Sequence, residues 1–195
     1  MPVKENMNYY CIFTETGKES HFKAEAKKLL DAENAGFGGE FLIFRQVKKI
    51  VKKNKVYDDL LFPGYVFFKT DETDARKFRA LTKISGFIKF LPETSTMETL
   101  VGRDLEIVTL LERGGEVQGF VRAKFDKNDR IVIVSGPFSG MKGKVTSVNR
   151  RNQKLNYSIE MESGVRVLNL SYFDIEKQDW SQEEALYMAS MKEMG

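Results

Sequence analysis

Tyr9-Tyr10-Cys11-Ile12-Phe13 is an unbroken apolar run with three aromatics and one β-branched residue, which predicts a short strand. Gly17 closes it, and from Glu19 to Leu30 the apolar positions Phe22, Ala26, Leu29 and Leu30 recur at helical spacing. Gly36, Gly38 and Gly39 break that helix. Glu40 to Ile50 is then β-rich and leads into a lysine run, as the arm of a long hairpin does. Leu60-Leu61-Phe62-Pro63-Gly64-Tyr65-Val66-Phe67-Phe68 predicts a central strand with Pro-Gly at its entrance. Asp71, Thr73 and Asp74 suit the start of a second helix, whose apolar positions are Ala75, Phe78 and Leu81 or its neighbour Ala80. Gly86 to Leu91 predicts a further strand, stopped by Pro92, and Leu105, Val108 and Leu111 mark one face of a third helix. The order of strand, helix, two strands, helix, strand and helix predicts an α+β sandwich built on an antiparallel-rich sheet.

The pattern changes after Gly114-Gly115, where a mixed run to about Lys124 reads as a linker. Phe125 to Lys177 consists of short strands broken by Gly136, Gly140, Gly143, Asn149, Asn152 and Gly164, the spacing of a small β-barrel. Two β-patterned runs, Asp129–Val134 and Lys144–Val148, flank Gly136-Pro137-Phe138-Ser139-Gly140-Met141-Lys142-Gly143. In that turn the glycines and the proline surround an aromatic, Phe138, expected to be exposed. Ser181-Gln182-Glu183-Glu184 is a capping box opening a last helix through Met194, with Trp180, Tyr187, Met188, Met191 and Met194 available to pack it on the barrel. The expected organisation is an α+β domain over 1–113, a linker over 114–124, a barrel over 125–177 and a helical extension over 178–195.

Of the 195 residues 42% are hydrophobic and 12% aromatic, enough to fill packed cores and to exclude wholesale disorder. A single cysteine, Cys11, excludes an internal disulfide and a cysteine-rich metal site, so a reducing compartment and hence the cytoplasm is expected. No apolar run approaches bilayer length, and Met1 to Asn8 lacks the apolar stretch of a secretion signal, so no membrane partner is expected. The net charge of +3 decides little, but its distribution does more. Arg45, Lys48, Lys49, Lys52, Lys53 and Lys55 fall in one stretch without an acid. From Ala123 to Asn156 eight cations meet two acids, whereas from Glu160 to Gly195 three cations meet eight acids. Positive charge is thus concentrated in two patches.

Catalysis finds little footing. The one histidine, His21, falls in a charged helix and has no nucleophile to pair with, and Asp71, Glu72 and Asp74 sit where a helix start favours carboxylates. The chain carries no metal-ligand spacing and no phosphate-binding loop, so no cofactor and no metal are expected, and it is not read as an enzyme. Recognition of a polymer fits better. The lysine clusters attract phosphates, and Asn149-Arg150-Arg151-Asn152-Gln153-Lys154 combines guanidinium forks with amides at an expected hairpin tip.

Phe62-Pro63-Gly64-Tyr65-Val66 in the first part, and Val134-Ser135-Gly136-Pro137-Phe138 with Gly143 in the second, resemble the NusG family of transcription elongation factors. The first resembles the FPGYV strand of the family's N-terminal domain and the second its KOW motif, and the resemblance extends over almost the whole chain. It implies an N-terminal α/β sandwich joined by a linker to an SH3-like KOW barrel. It also implies a factor that grips RNA polymerase through the first domain, suppresses pausing or termination, and meets a second partner through the barrel. On matching positions it makes Tyr9, Phe62 and Tyr65 candidate polymerase contacts. It makes Lys49, Lys52, Lys53, Arg79 and Lys83 candidate contacts to non-template DNA, and Gly136, Pro137, Phe138 and Gly143 the KOW turn. Glu162 stands where general factors of the family carry an aromatic used toward Rho or a ribosomal protein. With the basic Arg150-Arg151 tip, this is similar to specialised antitermination paralogs of the LoaP or RfaH type. Arg150, Arg151 and Lys154 are then candidate contacts to nascent RNA, and a monomer is expected. A general elongation factor coupled to Rho or the ribosome, and a KOW-containing ribosomal or RNA-binding structural protein, are the alternatives.

Overall fold

A computed structural model of the chain describes residues 7–32, 39–53, 55–91, 97–136, 138–162 and 164–176, together with Ala185 and Ala189. The chain packs as two units, Met1–Ile43 with Phe62–Glu106, and Phe44–Leu61 with Ile107–Gly195.

In the first unit, β1 (Asn8–Thr14) is followed by α1 (Glu19–Ala32) and β2 (Gly39–Leu42). The sheet of this unit is completed by a strand at Tyr65–Thr70 and another at Phe87–Leu91, and all its pairings are antiparallel. Alternation sorts the side chains onto two faces. Tyr10, Ile12, Phe41, Val66 and Phe68 share the face that meets the helices. Phe22 of α1 packs edge-on to Phe41, with ring centroids 6.5 Å apart, and Phe78 of a 3-10 helix (Ala75–Lys83) sits 5.6 Å from Tyr10 and 5.1 Å from Phe68. The second helix expected from Asp74 therefore forms, in the tighter 3-10 geometry. The opposite face carries Tyr9, Cys11, Phe13, Tyr65, Phe67 and Lys69.

In the second unit, β3 (Arg45–Ile50) and β4 (Lys55–Leu60) form the expected hairpin arm, and the strands of the first unit become β5 (Tyr65–Thr70) and β6 (Phe87–Leu91) in chain order. α2 (Gly102–Arg113) buries Val108 and Leu111, as its spacing predicts, together with Ile107, while Leu105 of the expected face is half-buried. The stretch read as a linker contains two strands, β7 (Val117–Gln118) and β8 (Val121–Phe125). The apolar positions Phe120, Val121 and Ala123 are buried, and this draws the stretch into packed structure. β9 (Ile131–Ser135), β10 (Gly143–Asn149), β11 (Lys154–Met161) and β12 (Gly164–Asp174) follow, and the five-stranded order is β10-β11-β12-β8-β9.

The arm, expected within 1–113, packs with these strands. β3 pairs in parallel with β7 through Arg45↔Val117 and Gln46↔Gln118, and Val47, Phe120 and Phe173 form a buried cluster flanked by Val56 and Val117. The proposed helical extension over 178–195, Pro137 of the KOW turn and the strand-stopping Pro92 lie outside the described residues, Ala185 and Ala189 apart.

Candidate nucleic-acid interface

The barrel is shaped at one end by the glycine turn. Gly136 has φ +107, and a Cβ there would meet the Phe120 carbonyl at 3.0 Å, so only glycine fits without strain. Phe138, expected to be exposed, is instead 1% exposed and packs edge-on to Tyr157 at 6.3 Å. The reason is local: the Tyr157 hydroxyl donates to the Met141 carbonyl at 2.6 Å, closing the loop over the barrel interior and drawing Phe138 inward. At this same end the β11–β12 turn presents Glu162, exposed, where a protein-binding aromatic was sought.

The opposite end carries the cations. The β8–β9 turn is tied by Asp126, whose Oδ1 accepts from the backbone N–H of Asn128 at 2.8 Å and of Arg130 at 2.9 Å. Those backbone hydrogen bonds, with the Arg130 guanidinium beside it, hold the Asp126 carboxyl below the usual aspartate range. The β10–β11 turn is fastened to it by Arg150. Its guanidinium lies 3.9 Å over the Phe125 ring and donates to the Asp129 carboxylate, which raises its affinity for its proton. Arg150, a candidate RNA contact, joins the two turns and is itself exposed, as is Arg151, with Lys154 half-buried beside them.

On the arm, Lys48 is buried against Asp59 at 2.6 Å and Arg45 pairs with Asp58, so these two cations are matched across the hairpin. Lys52, Lys53 and Lys55 are exposed around the tip, and Lys49 is half-buried. Arg79 and Lys83 both lie exposed on the 3-10 helix of the first unit. That helix is capped by Asp74, which accepts from the Arg76 side chain at 2.8 and 2.9 Å and from the Arg76 backbone N–H at 3.1 Å. These bonds pull the Asp74 carboxyl down to about 2. A folded-state value below the ordinary 3.8 stabilises the fold above that ordinary value, and the contribution is lost as the pH falls through about 2. Asp74→Asn is accordingly expected to lower the thermal midpoint near neutral pH and to converge on the parent as the pH falls toward about 2, measured by thermal melts across the acid range.

Of the candidate polymerase contacts, Phe62 and Tyr65 are placed together, while Tyr9 lies on the same sheet face opposite Lys69, four residues along β1 from Phe13, the partner of Tyr65. Tyr9, Phe62 and Tyr65 are each more than nine-tenths buried, with Phe62 edge-on to Tyr65 at 6.3 Å and to Phe67 at 5.8 Å. Phe62, Tyr65 and Phe67 pack an aromatic cluster, and half-buried Phe13 is the part of it nearest solvent, 5.3 Å from Tyr65. Composition gave no sign of the residue that fixes the Pro-Gly turn beside them. Glu19, 2% exposed at the start of α1, accepts from the Gly64 N–H at 2.6 Å and from the Gly17 N–H at 2.8 Å. The Thr14 N–H donates to the Gly64 carbonyl at 2.7 Å, so the turn is held from both sides.

A family model described as transcription termination factor nusG matches residues 7–111, more than half of the chain. The chain belongs to the NusG family. A second model, the KOW motif, matches residues 127–167. Relatives include the transcription termination/antitermination protein NusG of Bacillus subtilis, 24% identical over 185 residues that cover 87% of this chain and 98% of that protein. The NusG of Thermus thermophilus is 25% identical over 188 residues, 88% of this chain and 99% of its own length. A solved structure described as domain interaction in Thermotoga maritima NusG aligns with a TM-score of 0.58 over 85% of this chain and 94% of that one. At 18% identity that likeness is one of fold, a NusG-type α/β domain with a KOW barrel. NusG family membership makes the chain a transcription termination/antitermination factor and not an enzyme. Among the described residues no cluster of His, Cys, Asp or Glu could hold a metal ion, and no helix is long and apolar enough to cross a membrane.

Proposed function

We propose that this NusG family member is a cytoplasmic, monomeric processive antitermination factor. It binds RNA polymerase through the first unit, suppresses pausing or termination, and holds nascent RNA on its barrel. The observation that carries the reading is the division of charge on the barrel. One end presents Arg151 and Lys154 beyond an Arg150 already matched to Asp129, and the other presents the carboxylate of Glu162. A cationic end whose turn acids Asp126 and Asp129 are paired with Arg130 and Arg150 suits a phosphate backbone. An exposed carboxylate is a poor substitute for the aromatic anchor of a protein interface, and this favours RNA over Rho or a ribosomal protein as the second partner. Polymerase contact is assigned to the face of β1 and β5 that carries Tyr9, Tyr65 and Phe67, with the neighbouring Phe62. Non-template DNA contacts are assigned, each by itself, to Arg79 and Lys83 of the first unit and to Lys49, Lys52 and Lys53 of the arm.

The test is association of the purified full chain with core RNA polymerase, followed by transcription through a pause and a terminator. The expected results are co-elution on size exclusion and increased read-through, with Phe13→Ser weakening the association about tenfold by loss of an apolar contact. Failure of the parent chain to bind polymerase overturns the reading.

A further inference from the structure

The two strands at the ends of the barrel's pairing order are neighbours in sequence. Among the described residues β9 pairs only with β8 and β10 only with β11, although the glycine turn joins β9 directly to β10. No backbone hydrogen bond links the two strands there, so each presents an edge to the seam between them. Residues directly opposite each other in a ladder share a face of the sheet. Val145 stands opposite Tyr157 and Tyr157 opposite Leu168, Val148 stands opposite Leu155 and Leu155 opposite Leu170, and Ile133 stands opposite Ala123. Away from the seam this face is dry, since Ala123, Leu155, Tyr157, Leu168 and Leu170 are all buried. Beside the seam Ile133 and Val145 are only half-buried and Val148 is exposed. The interior face therefore runs out, still apolar, into a groove of about 570 Å³ whose lining includes the buried Phe138, Met141 and Tyr157.

Both walls of this groove are strand edges, and that limits what fits between them. Along an edge, alternate residues turn their N–H and C=O groups outward. A helix satisfies its backbone groups internally, whereas an extended chain offers donors and acceptors in alternation at the same rise of ~3.3 Å per residue as the walls. β9 spans five residues and β10 seven, so an extended segment of about seven residues covers both. Its inward side chains meet Ile131, Ile133, Val145 and Val148, which selects β-branched apolar residues at every second position. Charge selects further. The charged residues in the lining are Asp129, Arg130 and Lys144. Asp129 is held by Arg150 and Arg130 meets Asp126 at 3.4 Å, while Lys144 is exposed and outside any ion pair among the described residues. Glu160 lies on β11 diagonal to Lys144 and does not line the groove. An acid at the tip of the segment complements Lys144. A second copy of this chain, bringing its own Arg130 and Lys144, does not.

We propose that the seam between β9 and β10 accepts an extended, acid-tipped segment of a partner protein, which enters as an added strand and completes the barrel. Arg151 and Lys154 do not line this groove, so the site is separate from the cationic tip and does not rest on the RNA reading. Two edges receive the main chain of the segment, and its alternate side chains cover the wetted part of the interior face. The same contacts that recognise the partner therefore stabilise the barrel.

The probe is a fluorescein-labelled peptide of about seven residues, valine and threonine in alternation with aspartate at both ends, so that either direction of entry places an acid near Lys144. Its binding to the full chain is read by fluorescence anisotropy, and amide hydrogen exchange of β9 and β10 is followed with and without it. Saturable binding with slowed exchange in both strands is expected. The same peptide N-methylated at alternate amides is expected to bind about tenfold more weakly, and a version with lysine in place of both aspartates about fivefold more weakly. Lys144→Glu changes only an exposed side chain and is expected to reverse the preference between the two peptides of opposite end charge, whereas an unchanged preference overturns the role given to charge. Equal binding of the N-methylated peptide overturns strand addition. Absence of binding overturns the proposal, as does exchange in β9 and β10 of the free chain as slow throughout as in β11 and β12, which would mean a seam closed in solution. Protection that instead grows with protein concentration in the absence of peptide gives the seam to a second copy and overturns the assignment to a partner.

Discussion

Gly143→Ala is expected to destabilise the barrel by about 3 kcal/mol. A Cβ on Gly143 would stand 2.6 Å from the Tyr157 ring and 2.7 Å from the Ser158 carbonyl oxygen. Neither neighbour can yield cheaply. Ser158 is backbone within the β10–β11 ladder, and the Tyr157 ring is tethered by its hydroxyl to the Met141 carbonyl at 2.6 Å. Moving the ring breaks a buried hydrogen bond and opens the space beside Phe138, so steric and polar costs add. Gly140→Ala is the matched comparison: its φ is +87, but no atom lies within 4 Å of an added Cβ. Backbone strain alone makes that change cost about 1 kcal/mol. Urea unfolding of the two variants separates the cases, and equal midpoints would show that the Tyr157 ring has room to move.

Glu19→Ala is expected to cost about 2 to 4 kcal/mol and to loosen the Phe62-Pro63-Gly64-Tyr65 turn. The carboxylate accepts two backbone hydrogen bonds in a place water does not reach, and truncation leaves the buried Gly64 N–H without its acceptor. The neighbouring Thr14 does not replace it, because its N–H is a donor and its hydroxyl is directed to the Gly64 carbonyl. Glu19→Gln keeps one acceptor oxygen and is expected to recover about half of the loss. Thermal melts give the stability, and amide hydrogen exchange at Gly64 and Tyr65 reports the turn itself. Unchanged protection of these amides in Glu19→Ala would remove Glu19 from the role of positioning the turn.

Much of the architecture was legible because the apolar runs of β1 and β5, the glycine-broken short strands of the barrel and the helical spacing in α1 and α2 are local properties of the sequence. Asp74 at the start of its helix was legible for the same reason, although nothing in the spacing of Ala75, Phe78 and Leu81 distinguishes a 3-10 from an α-helical turn. Phe138 was misjudged because a turn rich in glycine reads as surface, whereas its burial depends on Tyr157, a long-range partner. The docking of the arm was hidden more deeply. Gln46 and Ser171 lie 125 residues apart, and neither residue type announces a junction. Glu19 looked like an ordinary acid at a helix start, and only the return of the chain at Gly64 shows what the carboxylate holds. The cation count overstated the arm and the tip alike, since spacing reveals lysines and arginines but not the Asp58, Asp59 and Asp129 that pair with them across strands and turns.

The stacking of Arg150 on Phe125 has a consequence for the kinetics of capture. A loop of long polar side chains ordinarily loses rotational freedom when it meets a ligand, and that entropy is subtracted from affinity. Here the backbone of the β10–β11 turn is already fixed to its neighbour by an aromatic ring and a carboxylate, so Arg151 and Lys154 project from a frame that does not have to be ordered on contact. On the proposed RNA-binding reading, encounter is then governed by diffusion and long-range attraction rather than by a search for a competent loop shape.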